Sequence, residues 1–178
     1  IIAVAGRRPN QHFVVKPDQQ VPFRDFNFEL DAPGFQVLLD SKVPITLAPW
    51  EISSKVWLRE PDLQRWASGT EATKFLYAPA TDWLKKWQRD IGVNGFNPFD
   101  TLAIAYVTSP RLITSEVLPA AIQTLPDDVN MKPLANGKPP EKPYLLVGKT
   151  IRSKKRVRYC YNAVPEFVTD LMKRLLKG

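Results

Sequence analysis

Apolar positions recur along this chain with two periods, and the switches between them mark the predicted elements. Ile1–Ala5 is a short apolar run closed by Gly6, the pattern of a strand buried on both faces. Phe23–Leu30 alternates, with Phe26, Phe28 and Leu30 on one side and Asp25, Asn27 and Glu29 on the other, so it predicts a strand. Ala32–Asp40 places Phe35, Leu38 and Leu39 at helical spacing. Val43–Leu47 predicts the next strand, giving a strand–helix–strand able to close a parallel crossover.

From Ser53 to Ile91 the pattern is helical and rich in tryptophan. Thr81 is a candidate cap for a helix with Trp83, Leu84 and Trp87 inward. A loop of Gly, Asn and Pro follows over Gly92–Pro98, and Thr101–Val107 is apolar on nearly every side, which predicts a buried helix. Five prolines between Pro126 and Pro143 predict an ordered surface excursion. Val157–Tyr161 predicts a strand whose outward arginines suit a sheet edge. The last helix has one apolar stripe from Val164 to Leu176, with Pro165 in its first turn and Gly178 after it. The predicted fold class is α/β: a mostly parallel sheet flanked by helices, in one domain or the carboxy-terminal part of one, spanning 1–178.

Charge changes this picture little. The net charge of +7 is carried by residues 149–178, where nine basic side chains stand against Glu166 and Asp170. The rest of the chain is neutral overall, so the basic balance describes a tail. A nucleic-acid partner has little support: Lys149–Arg158 could meet phosphates, but a protected strand accounts for it. Cys160 is the only cysteine, which excludes an intrachain disulfide and a thiolate metal cluster. No apolar run approaches the ~20 residues of a membrane span. IIAVAG lacks a basic lead and reads as a strand, not a signal peptide. The compartment favoured is the cytoplasm.

Three clusters could carry chemistry. Asp25, Asn27 and Glu29 concentrate oxygen acceptors on one face; they form either a wet strand face or the rim of a ligand crevice at a strand end. Asp100, before an apolar helix, is an N-cap, a ligand for a hard cation, or both, since a carboxylate has several lone pairs. Trp83 and Trp87, four apart, are either core or a stacking wall for a flat heteroaromatic ring. Gly6-Arg7-Arg8 lacks the spacing of a phosphate loop and reads as a strand exit, and His12, the only histidine, as an exposed loop residue.

Three segments in order, VAGRRPNQHF, RDFNFELDAPGFQVLLDSKVPITLAPWEIS and FNPFDTLAIAYVTSP, resemble the carboxy-terminal half of the inosine/uridine-preferring nucleoside hydrolases. The resemblance implies a nucleoside-hydrolase-like fold without its amino-terminal half. It further implies calcium-dependent hydrolysis of the N-glycosidic bond of ribonucleosides, releasing base and ribose. Asp100 matches the family's last calcium-ligating Asp, and Asn27 its ribose-binding Asn. Asp25 stands where the family usually has a Glu. Trp83 and Trp87 fall about where some members carry aromatics near the base. Phe99 replaces a His that some members use to protonate the leaving base, and Gln19 stands where an Asn is common. The family's amino-terminal Asp-rich motif does not occur here, so the catalytic residues are not assigned. One Asp cannot supply the roughly six to eight oxygens calcium takes. The expected partners are a small-molecule nucleoside and either a second copy or a missing amino-terminal segment. The competing expectation is a binding or interaction protein that keeps the fold without turnover.

Overall fold

The computed structural model describes residues 1–177; Gly178, placed by the sequence after the last helix, lies outside the described residues. The chain divides into two compact units, Ile1–Glu51 with Ser115–Tyr161, and Ile52–Thr114 with Asn162–Gly178.

The first unit is built on a sheet whose strands are β1 (Ile2–Ala3), β2 (Thr46–Leu47), β3 (Ile113–Pro126), β4 (Glu141–Val147) and β5 (Arg156–Ala163), in the order β1-β2-β5-β3-β4. β1 pairs parallel with β2 through Ile2↔Thr46, and β2 pairs parallel with β5 through Leu47↔Tyr159. β3 and β4 form an antiparallel ladder from Ala120↔Val147 to Pro126↔Glu141. Beyond β1 the chain meets the far side of the order, because Arg7 N donates to Leu145 O and Val147 N to Arg7 O. The sheet therefore curls back on itself. Helices α1 (Phe26–Leu30) and α2 (Ala32–Asp40) connect β1 to β2. The core gathers Phe28, Leu39, Leu47, Leu118, Leu145 and Tyr159, all buried.

The α/β architecture agrees with the sequence pattern, and four local expectations are corrected. Phe23–Leu30 is no strand: residues from Phe26 are helical, with Glu29 N donating to Asp25 O at 2.8 Å. The inward positions Asp25, Phe28, Ala32, Phe35 and Leu39 recur at three and four, while Phe26 and Leu30, which made the pattern look alternate, are exposed. Asp25, Asn27 and Glu29 therefore share no strand face. The parallel crossover starts from β1, twenty residues earlier than the alternation suggested. β5 lies inside the sheet between β2 and β3, so Arg156 and Arg158 are exposed side chains of a central strand and protect no edge. The proline-rich excursion is narrower than predicted: Pro126 and Pro143 stand inside β3 and β4, opposite Glu141 and Thr124. Pro is tolerated in β4 because that strand ends the sheet order.

The second unit is helical. It holds α3 (Trp50–Ser53) at its junction, α4 (Glu60–Ala67), α5 (Glu71–Ile91), α6 (Phe99–Thr108) and α7 (Phe167–Leu175). α5 starts at Thr70, whose hydroxyl accepts from Thr73 N, and stops at Gly92, in the left-handed region at φ +77. Thr81 is thus no cap. It sits mid-helix with its hydroxyl donating to Tyr77 O at 2.7 Å, just after Pro79, which has no N–H to give the ladder. α6 corrects a second expectation: Leu102 is fully buried, but Ile104 and Val107 are each 64% exposed. Its apolar surface exceeds what the described residues cover. α7 packs Phe167 and Met172 inward, and Trp66 Nε1 donates to Met172 Sδ at 3.3 Å. Among the described residues no helix is long and apolar enough to cross a membrane.

Candidate active site

Two of the sequence-predicted site residues meet at the exit of β1. Gly6 adopts φ +87, and a Cβ there would stand 3.1 Å from Leu47 Cδ1, so only glycine makes this turn without strain. Its N–H donates to Asp25 Oδ2 at 2.7 Å. Two residues earlier, Val4 O accepts from Asn27 Nδ2 at 2.9 Å. The first turn of α1 is thereby clipped to the carboxyl end of a parallel strand by a carboxylate and an amide, a position where α/β sheets take ligands. Asp25 is buried, and burial pushes its carboxyl up to about 6, against the opposing pull of the Gly6 N–H and the Arg7 charge. Asn27 is exposed.

Around this turn lies a set of buried charges that the sequence pattern did not reveal. Arg7 is only 3% exposed; its Nη1 donates to Asp128 Oδ2 at 2.7 Å and its guanidinium lies 4.0 Å from the Phe13 ring centre. Lys142 Nζ reaches Glu29 Oε1 at 2.7 Å, Asp128 Oδ1 at 2.9 Å and Asp127 Oδ1 at 3.5 Å. Burial would raise the Asp128 carboxyl, but the Lys142 and Arg7 cations bring it down to about 2. Arg8 bridges Glu51 at 2.7 Å and Glu116 at 2.9 Å, over the rings of Tyr159 and Tyr161. The available signal was two arginines directly after an apolar strand and a doublet of aspartates. Arg7 and Asp128 pair across 121 positions and Arg8 and Glu116 across 108, and no periodicity carries that. His12 is exposed as expected, 3.3 Å from Asp128 Oδ2.

The other predicted site residues belong to the second unit. Asp100 is the second residue of α6, whose N-cap is Pro98, so the capping alternative is set aside; its side chain is exposed. Asn97, three residues before it, is buried with Nδ2 donating to Val56 O at 2.7 Å and Oδ1 left without a partner. Trp83 and Trp87 touch edge to face with centroids 6.3 Å apart, yet differ in fate. Trp87 is buried against Trp57 and Phe99, at 6.0 and 6.1 Å, whereas Trp83 is 43% exposed. Core packing thus accounts for Trp87, and Trp83 keeps a free face. Among the described residues no group of three His, Cys, Asp or Glu side chains could hold a metal ion. These residues alone do not fit a calcium ion.

The family model for inosine-uridine preferring nucleoside hydrolases matches residues 13–158, and the chain belongs to that family. Solved structures agree in fold. A plant nucleoside hydrolase, PpNRh1, superposes with a TM-score of 0.69 at 14% identity, covering 98% of this chain and 52% of its own. The purine-preferring ribonucleoside hydrolase from Gardnerella vaginalis gives 0.67 at 19% identity, with 97% and 50% covered. The inosine-uridine preferring nucleoside hydrolase from Bacillus anthracis gives 0.56 at 16%, with 99% and 50% covered. The chain thus spans about half the length of these relatives. No curated protein matches it.

Proposed function

We propose that this chain is the carboxy-terminal part of a nucleoside-hydrolase domain and takes part in hydrolysing the N-glycosidic bond of ribonucleosides. The observation that carries this reading is the Asp25–Asn27 turn clipped to the exit of a parallel strand, in a chain of this family.

In the reaction the C1′–N bond breaks, a water oxygen bonds C1′, and the base leaves with a proton. Positive charge builds on the ribose ring as the base departs, and fixed acceptors stabilise it. Asn27 donates its Nδ2 to Val4 O, and its Oδ1 is the acceptor proposed for a ribose hydroxyl. Asp25 lies one layer deeper and is an anion above about pH 6, adding negative potential beneath the sugar. Trp83 offers its exposed ring as a wall for the base, with Trp87 supporting it from the core. Calcium is the proposed cofactor, with Asp100 as one ligand and the others from outside this chain; no step is derived through the ion. No acid for the leaving base is assigned, since Phe99 occupies the place of a histidine in some members. The proposed partners are a nucleoside and either a further amino-terminal segment or a second copy, and the proposed compartment is the cytoplasm.

Phe99, packed on Trp87, favours one second reading: a nucleoside-binding protein without turnover. Release of ribose from a panel of nucleosides by the full-length protein, with and without a calcium chelator, decides between them. Calcium-dependent release is expected, and Asp100→Ala should lower calcium affinity and turnover together. Nucleoside binding without ribose release establishes the second reading, and neither binding nor release removes both.

A further inference from the structure

The buried charges of the first unit form a closed circuit through the Asp25–Asn27 turn. Lys142 Nζ donates to Glu29 Oε1 at 2.7 Å, and the same oxygen accepts from Asp25 N at 3.1 Å. Asp25 Oδ2 accepts from Gly6 N, the residue before Arg7. Arg7 Nη1 donates to Asp128 Oδ2, and Asp128 Oδ1 lies 2.9 Å from Lys142 Nζ. The circuit closes on the lysine it started from. Closing the β3–β4 hairpin does not require this ammonium, because the ladder and the Tyr144 hydroxyl, donating to Pro126 O at 2.8 Å, already hold it. An apolar side chain of similar length would fill position 142, where Lys142 is buried, but would leave the Glu29, Asp127 and Asp128 carboxylates without the cation they share. Beyond that charge balance, the ammonium adds geometry. It is one carboxylate oxygen away from the backbone of Asp25 and two side chains away from the glycine that holds the Asp25 carboxylate.

We propose that Lys142 is a positioning residue for the ligand-facing turn. Through Glu29 on one side, and through Asp128, Arg7 and Gly6 on the other, it fixes the orientation in which α1 presents Asp25 and Asn27. The proline-rich segment between β3 and β4 is thereby part of the site's framework, since Asp127 and Asp128 at its start hold Lys142. The proposal rests on reading that turn as the sugar-contacting part of the site.

The test uses the full-length protein and measures amide hydrogen exchange at Gly6, whose N–H reports the Asp25 contact directly. Lys142→Met is expected to speed Gly6 exchange about tenfold or more while Arg158 N, bonded to Ile45 O in the sheet, keeps its protection. Lys155→Met is the control, because Lys155 braces Ser41 O and Val43 O at 2.8 and 3.1 Å in the same unit, outside the circuit. It should leave Gly6 unchanged. Should Lys142→Met not fold, Glu29→Leu, whose side chain has no acceptor, breaks the same link with one fewer buried charge and is read in the same way. Wild-type protection of Gly6 in the variant, equal loosening of Gly6 and Arg158, or the same loosening in Lys155→Met overturns the proposal. With nucleoside as substrate, the circuit variant is expected to raise KM about tenfold with kcat little changed. A wild-type protein that hydrolyses no nucleoside sinks the proposed function, while Gly6 exchange still decides the role of Lys142.

Discussion

The two units solve opposite problems. In the first, charges go inside: Arg7, Lys142, Glu29, Asp127 and Asp128 have side chains at most 10% exposed and are paired with one another. In the second, the ion pairs sit in solvent, as Lys86–Asp90 and Arg174–Asp170 do, and the interior is aromatic around Trp57, Trp66, Trp87 and Phe99. The difference teaches where precision and where bulk are needed. Buried ion pairs add little net stability but tolerate only one arrangement, whereas an aromatic core stabilises through area and tolerates small shifts. The unit that holds Asp25 and Asn27 is the one built for a single arrangement.

The comparison breaks first at its two centres. Arg7→Met takes from the buried Asp128 carboxylate one of its two cations, leaving Lys142 as the other, and Trp87→Ala opens a cavity; each should cost about 3 kcal/mol or more by urea denaturation. Trp87→Ala should show it in tryptophan fluorescence, since four of the five tryptophans belong to the second unit. Equal small losses in both would erase the contrast.

Next comes pH. Asp25 binds its proton more tightly folded, at about 6, than at the ordinary 3.8. The stability it contributes is therefore complete below 3.8 and is lost as pH rises through about 6. Asp128, held at about 2, contributes stability above 3.8 that is lost as pH falls towards 2. Asp25→Asn should remove the loss between pH 4 and 6, making the variant more stable than wild type near pH 7.5 by up to about 3 kcal/mol. A parallel pH–stability curve for the two proteins would show that Asp25 carries no such strain.

Smaller effects sharpen the boundary. Trp83→Ala should lower stability by about 1 kcal/mol or less while weakening nucleoside handling, because its ring is partly in solvent. A loss matching Trp87→Ala would return it to the core. Smallest of all, Lys86→Ala removes an exposed i,i+4 pair and should leave the urea midpoint where it is.

Much of the fold was legible in local pattern. Helix α2 and strand β5 appear where the sequence places them, as does the apolar stripe of α7 from Phe167 on, because local periodicity decides each. Two expectations are narrowed: of Ile1–Ala5 only Ile2–Ala3 is strand, half-buried with Ile1 52% exposed, and Pro165 precedes α7 instead of sitting in its first turn. The site was legible by type but not by setting. Asp25 and Asn27 were found as an acceptor pair, yet on the wrong element, because two exposed apolar residues, Phe26 and Leu30, imitated a strand. Trp83 and Trp87 look equivalent four residues apart; only their packing separates a surface ring from a core ring.

The sequence by itself determined most of the elements, the family and the kinds of side chain available for chemistry, since these follow from short-range spacing and residue type. Only the tertiary structure decided which charges are buried and whom they meet. Arg7 finds Asp128 across 121 positions and Lys142 finds Glu29 across 113. The reason is that desolvation and pairing are set by what the folded chain brings close, a quantity with no period along the sequence.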